Sequence, residues 1–282
     1  MLIFKTTESI GDSLAKFRKE GKKIAFAPTM GALHEGHLSL IKKALDENDV
    51  CVTSIFVNPT QFNDKKDLDR YPRPFEHDLE LLVKSGAHIL FYPEVQEMYP
   101  SGLEVPVLVD FGYLLETMEA VFRKGHFEGV STVVKRLLDI VQPDTLYMGQ
   151  KDYQQLLIVK YMIAELALPV RLVMCPTVRE ADGLAMSSRN TLLTPDERAA
   201  AALIPQTLFR AKEKAFDETF EEIEQESIEE IDSNPLLKTE YFRIVDAKTL
   251  APAQNMKRNA PIAICTAVKA GSVRLIDNLI IA

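Results

Sequence analysis

Short runs of apolar residues, rich in β-branched and aromatic side chains, recur through the first 176 residues of the chain. Continuous runs of this kind are typical of strands that a parallel sheet buries on both faces. The pattern predicts strands at KKIAFAP (22–28), VCVTSIFV (50–57), HILFYP (88–93), DTLYM (144–148) and VRLVMC (170–175).

Between several of these runs lie amphipathic stretches whose apolar residues recur at helical spacing. Strands that alternate with helices form a mainly parallel sheet with helices on both faces. Ligands of such sheets bind beyond the carboxyl ends of the strands, so the loops after the strands are where chemistry is expected. The predicted helices are HLSLIKKALDEN (37–48), EHDLELLVKSG (76–86), STVVKRLLDIV (131–141) and DYQQLLIVKYMIAEL (152–166).

After residue 176 the alternation stops. One long stretch, 194–216, predicts a helix with Thr194 as its N-cap and Pro195 at its first position. The next, 220–231, predicts an acidic helix, most simply a solvated face. Three short strands then suggest a smaller α+β domain: YFRIVDA (241–247), IAICTAV (262–268) and SVRLID (272–277).

The chain has 282 residues, 46% apolar and 26% charged, which is the composition of a folded protein of about two domains. Length and pattern together predict a first domain over 1–176 and a second over 177–282. The 33 basic and 41 acidic residues give a net charge of −8, so the chain as a whole repels polyanions. We therefore expect no nucleic-acid partner, although a local basic pocket for a small anion stays open.

No apolar run approaches the roughly 18 residues that cross a bilayer, and the N-terminus MLIFK does not resemble a signal peptide. We expect no membrane partner. Cys51, Cys175 and Cys265 are odd in number, far apart and set in apolar runs, which favours buried core thiols over a disulfide framework or a cysteine metal site. This usage indicates a cytoplasmic protein.

The loop after the first predicted strand, PTMGALHEGHL, runs directly into a helix. His34 and His37 lie three residues apart at that helix N-terminus, so their imidazoles share one side of the first turn and face any anion held there. Gly31 and Gly36 permit backbone conformations and close approach that a Cβ would obstruct. The loop therefore predicts a phosphate-handling site.

Two other interpretations of these histidines stay open. A zinc site of the His-Glu-x-x-His type needs its second histidine one residue later than His37, and no further histidine has a convincing ligand spacing. Ordinary structural histidines are the other alternative. The anion site is the favoured interpretation.

Three further strings carry polar side chains at predicted loops. Asn58 and Gln61 follow a strand in IFVNPTQF, although an asparagine before a proline also simply starts turns. Lys151 and Asp152 follow another strand in GQKDYQQ, either as a capping pair or beside a ligand. The string AMSSRN sets two hydroxyls beside Arg189, a combination suited to a mobile clamp on a polyphosphate.

These four strings, PTMGALHxGH, FVNPxQF, GxKDxQQ and MSSRN, occur together in the order found in the pantoate–β-alanine ligase family, and the chain resembles that family over essentially its whole length. The resemblance implies a Rossmann-like, doubly wound parallel sheet with a smaller C-terminal α+β domain that closes over the substrates. It also implies a His-x-Gly-His signature shared with class I aminoacyl-tRNA synthetases, a Met-Ser-Ser-Arg loop similar to their Lys-Met-Ser-Lys-Ser loop, and a homodimer.

The family reaction joins pantoate to β-alanine in two steps. ATP with Mg²⁺ first adenylates the pantoate carboxylate and releases pyrophosphate, and the amine of β-alanine then displaces AMP. Attack at the α-phosphorus builds negative charge on the leaving pyrophosphate, where cations and hydrogen-bond donors stabilise it. The side chains placed to do so are His34, His37, Lys151 and Arg189, with His37 as the catalytic proton donor in the family.

By the same resemblance, the ATP site consists of Met30, Gly31, Ala32, Leu33, His34, Glu35, Gly36, His37, Gly149, Gln150, Lys151, Asp152, Val178, Met186, Ser187, Ser188 and Arg189. Asp152 lies on the ribose and Val178 contributes its backbone. Gln61 and Gln155 match the amides that bind pantoate, Gln61 also lies by β-alanine, and Asn58 is a second contact. Neutral amides leave the carboxylate reactive, whereas a bidentate arginine would satisfy it.

The metal-binding residues stay unknown. In some relatives acidic residues after Tyr-Pro-Arg help to place the metal, but here that stretch reads FEHD, so Asp78 is only a candidate. Arg123 has a substrate contact and a surface role as alternatives. Rival functions are a nucleotidyltransferase of the same fold that releases a nucleotidyl product, and a silent metabolite-binding protein that binds ATP without turnover.

Overall fold

The computed structural model describes residues 1–63, 65–103, 106, 109–253 and 261–281. The chain forms two compact units. The first unit comprises Met1–Phe111, Arg123–Gly149 and Gln155–Pro176, and the second comprises Gly112–Phe122, Gln150–Gln154 and Thr177–Ala282. The second unit therefore includes two short segments that precede residue 177 in the chain.

Six parallel strands form the sheet of the first unit, in the order β1-β4-β3-β2-β5-β6. The four central strands are almost entirely buried, which agrees with the predicted mainly parallel sheet, whereas the two edge strands, β1 and β6, are largely exposed or half-buried. The strands are β1 (Leu2–Phe4), β2 (Ile24–Thr29), β3 (Val50–Ile55), β4 (Ile89–Phe91), β5 (Thr145–Gly149) and β6 (Arg171–Cys175).

Helices flank this sheet, and the helix after β2 shows why they form. Its buried residues Leu40, Ile41 and Ala44 recur at helical spacing and pack into one core with strand residues such as Ala25 and Tyr147. The helices through residue 165 are α1 (Thr7–Lys19), α2 (Glu35–Glu47), α3 (Lys65–Arg70), α4 (Phe75–Ser85), α5 (Val95–Met98), α6 (Glu119–Phe122), α7 (His126–Val141) and α8 (Tyr153–Glu165), of which α6 belongs to the second unit. Over the described ranges, none has the length and apolar content needed to cross a membrane.

In the second unit, the three helices of residues 195–232 pack with a three-stranded antiparallel sheet of order β7-β8-β9, as the predicted α+β pattern requires. Thr194 caps the first of these helices by accepting from the Glu197 N–H, and Pro195 is its first residue. The elements are α9 (Pro195–Ala201), α10 (Leu203–Lys214), α11 (Phe220–Asp232), β7 (Leu237–Asp246), β8 (Ile262–Ala270) and β9 (Val273–Ile281).

The prediction of one helix over 194–216 was wrong, because the segment forms two helices that meet at Ala202. Pro205 has no N–H to donate to the carbonyl of Ala201, so the first helix ends there and a second begins. The pattern also does not predict β1 or α1. A strand of three residues is too short to show a period, and α1 buries only Ile10 and Leu14.

All three cysteines are free thiols inside the two units, as their apolar context predicts. Burial raises the pKa of Cys51 to about 12 and that of Cys175 to about 11. Burial also raises the pKa of the Cys265 thiol, because it disfavours the charged thiolate. Thiols in this state are unreactive side chains of the core.

The segment Gly112–Phe122 belongs to the second unit because buried polar contacts attach it there. The Glu119 carboxylate accepts two hydrogen bonds of 2.7 Å from Arg274 on β9 and one of 2.8 Å from the Tyr241 hydroxyl on β7. Glu119 is only 6% exposed. A charge this deeply buried is tolerated only while it is paired and hydrogen-bonded.

Removal of the Arg274 guanidinium should therefore lower the free energy of unfolding, because the Glu119 carboxylate is buried. Arg274→Met is expected to destabilise the second unit by about 3–5 kcal/mol, because the buried Glu119 carboxylate would lose two hydrogen bonds from the guanidinium and Glu240 would lose one of 2.6 Å. Arg243→Met in β7 is the matched control, since Arg243 pairs with Glu224 at 2.7 Å but its side chain is 53% exposed, and its loss should cost at most about 1 kcal/mol. Urea unfolding measures both, and equal losses would contradict a buried anchor.

Candidate active site

The sheet order places a topological switch point between β2 and β5. The chain builds β3 and β4 on one side of β2 and then returns to add β5 and β6 on the other side. Ligands of doubly wound sheets bind beyond the carboxyl ends of the strands at such a point. The loop 30–34 that follows β2, and Gly149 at the end of β5, therefore lie where a ligand is expected.

The loop after β2 is held in shape by Asp78 on α4. Its two carboxylate oxygens accept from the backbone N–H groups of Ala32 at 2.8 Å and Leu33 at 2.7 Å. Gly31 has φ of +82°, and a Cβ there would lie 2.9 Å from an Asp78 oxygen. The glycine is therefore needed both for the turn and for the approach of the carboxylate.

Asp78 is 1% exposed, and burial raises the pKa of its carboxyl group while the two backbone N–H groups oppose that increase. Both oxygens already accept backbone hydrogen bonds, so the carboxylate faces the loop as an acceptor. Asp78 therefore has a structural role in the loop, whereas the sequence predicted it only as a metal candidate.

The two histidines form the start of α2. His34 is the N-cap, and its Nδ1 accepts from the Gly36 N–H at 3.1 Å, while His37 Nδ1 lies 3.4 Å from the His34 N–H. Their ring centroids are 4.1 Å apart. A neutral imidazole that accepts at Nδ1 carries its hydrogen on Nε2, so both rings present Nε2–H donors at a helix N-terminus.

Gly36 makes this double cap possible. A Cβ at residue 36 would lie 2.8 Å from Cε1 and 2.9 Å from Nδ1 of His34, closer than such atoms approach. The His-x-Gly-His spacing is therefore a local geometric requirement. It combines hydrogen-bond donors with the partial positive charge of the helix N-terminus, an arrangement that binds and stabilises phosphate.

Gln61 joins the second motif to the first. Its Nε2 lies 3.1 Å from the sulfur of Met30, and its Oε1 accepts from Asn58 Nδ2 at 3.2 Å. Helix α7 packs tightly on the same turn, because His126 Nδ1 is 2.7 Å from the Gln61 carbonyl and a Cβ on Gly129 would collide with the backbone carbonyl of residue 60.

Asn58 is almost fully buried, at 1% exposure, and its amide is already used within the protein. Nδ2 donates to Gln61 and to the Gly129 carbonyl, and Oδ1 accepts from the Tyr99 hydroxyl at 2.7 Å. This geometry favours a residue that orients Gln61, while the substrate contact stays a prediction.

The adjacent glutamines at the start of α8 have different environments. Gln154 is buried, and its side chain accepts from the Glu119 N–H and donates to the carbonyls of Leu114 and Thr117. Gln155 is half-buried and makes no side-chain hydrogen bond with any residue that the structure describes. Gln154 therefore holds the segment 112–122, and Gln155 keeps its amide available.

The remaining predicted ATP-site residues lie in the second unit. Gln150, Lys151 and Asp152 form a 3₁₀ turn after β5, with Lys151 Nζ 4.0 Å from an Asp152 carboxylate oxygen. The Met186 N–H donates to the Val178 carbonyl at 3.0 Å. This bond closes a hairpin that leads into the Ser187–Arg189 segment.

The side chain of Ser187 caps the 3₁₀ helix Ser188–Leu192 by accepting from the Arg189 N–H at 3.3 Å. The hairpin before it is braced by Arg198, which pairs with Asp182 at 2.5 Å. The clamp function proposed for this segment stays a prediction, as does a substrate role for Arg123, which precedes α7.

A cavity of about 570 Å³ opens in the first unit, next to Met30 and Gly31. Residues just past the carboxyl ends of the strands line it, including Lys5 after β1, Phe56 after β3 and Tyr92 after β4. The volume is in the range of small-molecule sites.

The described part of the chain contains no group of three His, Cys, Asp or Glu side chains that could hold a metal ion. His34 and His37 direct Nδ1 to the backbone, and Asp78 directs both oxygens to backbone N–H groups. The described side chains do not fit a protein-built zinc or magnesium site.

The loop 30–34 leads to a helix N-terminus with hydrogen-bond donors, at the switch point of a doubly wound parallel sheet. These features define the chain as an α/β enzyme that binds phosphate groups. The Pantoate-beta-alanine ligase family model matches residues 2–280, and the chain belongs to that family.

Relatives agree along the whole length. The chain is 46% identical to a pantothenate synthetase of Bacteroides thetaiotaomicron, over 99% of this chain and 98% of the relative, and 45% identical to one of Agrobacterium fabrum, over 100% and 96%. A pantothenate synthetase structure from Thermus thermophilus superposes with a TM-score of 0.91 at 41% identity, covering 99% of both chains. A structure of a pantoate–β-alanine ligase from Francisella tularensis, complexed with "Beta-gamma ATP and Beta-alanine", superposes with a TM-score of 0.83 at 36% identity. The match covers 99% of this chain and 97% of that one.

Sequence reasoning missed the residues that support the site: the loop-holding role of Asp78, the packing of His126 and Gly129 on the Gln61 turn, and the anchoring by Gln154. The string HFEG at 126–129 was a usable signal, since a glycine one turn into a helix indicates close packing. The partners of Asp78 and Gln154 are distant in sequence and left no local signal.

Replacing Asp78 tests its hold on the loop. Asp78→Asn keeps the size of the side chain but presents an NH₂ group to a backbone N–H, so the variant should lose about 1–3 kcal/mol of stability. Hydrogen exchange at the amides of Ala32 and Leu33 should accelerate. Glu80→Gln on the exposed side of α4 removes the same charge and should change neither value; equal exchange in both variants would rule out the anchor.

Proposed function

We propose that the chain catalyses the ATP-dependent condensation of pantoate with β-alanine to pantothenate, through a pantoyl adenylate, with release of pyrophosphate and then AMP. The observation that carries the proposal is the pair His34 and His37, fixed by backbone hydrogen bonds at the N-terminus of α2 in a chain that matches the family over residues 2–280.

In the first step a pantoate carboxylate oxygen attacks the α-phosphorus of ATP, and the bond to the bridging oxygen of pyrophosphate breaks. Negative charge grows on that leaving group. The Nε2–H groups of His34 and His37 and the N-terminus of α2 stabilise such charge without reorganising, which is how preorganised donors accelerate a reaction. His37 serves as the proton donor.

In the second step the amine of β-alanine attacks the acyl carbon of the adenylate, the bond to the AMP oxygen breaks, and the amine loses a proton. Gln155, and Gln61 with its amide oriented by Asn58, hold pantoate through neutral groups. A neutral amide hydrogen-bonds the acid without neutralising the carboxylate, so the oxygen stays nucleophilic.

Lys151 and Arg189 supply positive charge to the phosphates, Asp152 binds the ribose, and the backbone of Gly149 and Val178 completes the nucleotide site. The hydroxyls of Ser187 and Ser188, next to Met186, fit a phosphate clamp. Residues 177–282 shield the adenylate from water until the amine arrives.

Mg²⁺ accompanies ATP in this proposal. The described carboxylates do not gather into a cation site, so phosphate oxygens and water are the ligands that fit, as is usual for Mg²⁺ on nucleotides. We also propose a homodimer, from the family resemblance, and a cytoplasmic location, which the three free buried thiols support.

A single-turnover experiment tests the order of the two steps. ATP, Mg²⁺ and pantoate without β-alanine should give a stoichiometric burst of pyrophosphate and no AMP, because the amine has no activated carbon to attack before the adenylate exists. AMP should follow when β-alanine is added. Pyrophosphate that appears only with β-alanine present would overturn the adenylate-first mechanism.

The adjacent glutamines provide a matched pair of variants. Gln155→Ala should raise the KM for pantoate about 10-fold or more and leave that for ATP unchanged, since unpaired substrate groups in a closed site cost binding. Its stability should stay within about 0.5 kcal/mol of the parent. Gln154→Ala should instead lose about 1–3 kcal/mol of stability, because three protein hydrogen bonds disappear. Steady-state kinetics and thermal unfolding measure both, and a reversed pattern would exchange the two roles.

A further inference from the structure

Two consecutive residues of β9 make contacts in opposite directions, as successive strand residues do. Asp277 pairs with both terminal nitrogens of Arg179, at 2.6 and 2.9 Å, and Asn278 reaches the 3₁₀ turn that carries Lys151. Both are buried, at 3% and 2% exposure, in a sheet whose other buried residues are almost all apolar.

Both polar atoms of the Asn278 side chain form hydrogen bonds with the turn. Nδ2 donates to the carbonyls of Gln150 at 3.0 Å and Lys151 at 2.8 Å, and Oδ1 accepts from the Gln150 side chain at 3.2 Å. One amide thus satisfies two successive carbonyls and a side chain. Both hydrogens of Nδ2 are used, so an apolar residue here would take one donor away from each of the two carbonyls.

Asn278 is itself held in place by its neighbours. Its N–H donates to Asp277 at 2.7 Å, and its carbonyl lies 3.3 Å from the Arg179 guanidinium. Arg179 is fixed in turn by the Gly183 carbonyl at 2.9 Å and by the ring of Phe209, 5.3 Å from the guanidinium carbon. The amide of Asn278 is therefore a rigid reference point.

We propose that Asn278 is a positioning residue that fixes the backbone of Lys151 and so aims its ammonium group at the phosphates of ATP. The inference rests on the function proposed above for Lys151. A lysine side chain has four rotatable bonds, so its reach is directed only if its backbone is fixed. Displacement of a catalytic group by about 1 Å can slow a reaction about 100-fold.

Pyrophosphate formation in a single turnover, with ATP, Mg²⁺ and pantoate, tests the proposal in four proteins: the parent chain, Asn278→Ala, Lys151→Ala and the double variant. Asn278→Ala is expected to slow the step about 10- to 100-fold in the parent chain. On the Lys151→Ala background it should slow the step less than about 3-fold, because residues that act through each other are not additive.

A merely structural asparagine would slow both backgrounds by the same factor, and that result overturns the inference alone. An unchanged rate in Lys151→Ala overturns both the inference and the function proposed for Lys151. Thr266→Val is the matched control, since Thr266 is fully buried, pairs with Asp277 across the sheet and donates to the Tyr241 carbonyl at 2.9 Å. It should lower stability without altering the pyrophosphate rate.

Asn278→Ser is the second variant in case the alanine variant unfolds. Its hydroxyl keeps one donor with a shorter reach, so it should retain more of the pyrophosphate rate than Asn278→Ala, or remain folded where that variant does not. A serine variant that folds and matches the parent rate would overturn the proposal, because a single donor with a shorter reach could not hold two carbonyls.

Discussion

Backbone N–H groups without helical partners govern the form of this active site. A buried loop and the start of the helix that follows it have N–H groups without helical partners, and burial makes unsatisfied N–H groups costly. Asp78 satisfies the N–H groups of Ala32 and Leu33, and the two imidazoles satisfy those at the start of α2. The loop is therefore formed before any ligand arrives.

These hydrogen bonds to backbone N–H groups also decide which side-chain atoms of the histidines and of Asp78 face away from the loop. Because Nδ1 of each histidine is directed to the backbone, the proposed chemistry involves Nε2. Because both oxygens of Asp78 are directed to the loop, its negative charge is directed away from the proposed phosphate site. A carboxylate is thus compatible with an anion site when its oxygens are occupied. The same reasoning explains why Gly31 and Gly36 cannot carry a Cβ.

The sequence predicts what depends on neighbours along the chain. The long apolar runs predict β2, β3 and β5, and the N-cap Thr194 with Pro195 at the first helical position predicts where α9 begins. What depends on distant residues is not predictable in this way: Glu119 with Arg274, Asp78 with the loop, and Asn278 with Lys151 are joined only by the fold. Pro205 is an instance in between, because its missing N–H was visible in the sequence but its effect depended on where the helix would break.

Adjacent polar residues in this chain divide between structural contacts and the proposed binding contacts. The side chain of Gln154 is fully used by Glu119, Leu114 and Thr117, while the side chain of Gln155 beside it makes no hydrogen bond with the described residues. The side-chain amide of Asn58 donates to Gln61, which it orients, and to the Gly129 carbonyl. Side chains that bind a ligand in a half-buried site need rigid neighbours. Otherwise each of them loses conformational entropy on binding, and this loss lowers the affinity for the ligand. The motif GQKDYQQ is therefore longer than the set of ligand contacts proposed for it, because residues that fix the backbone and the neighbouring segment are part of the same string.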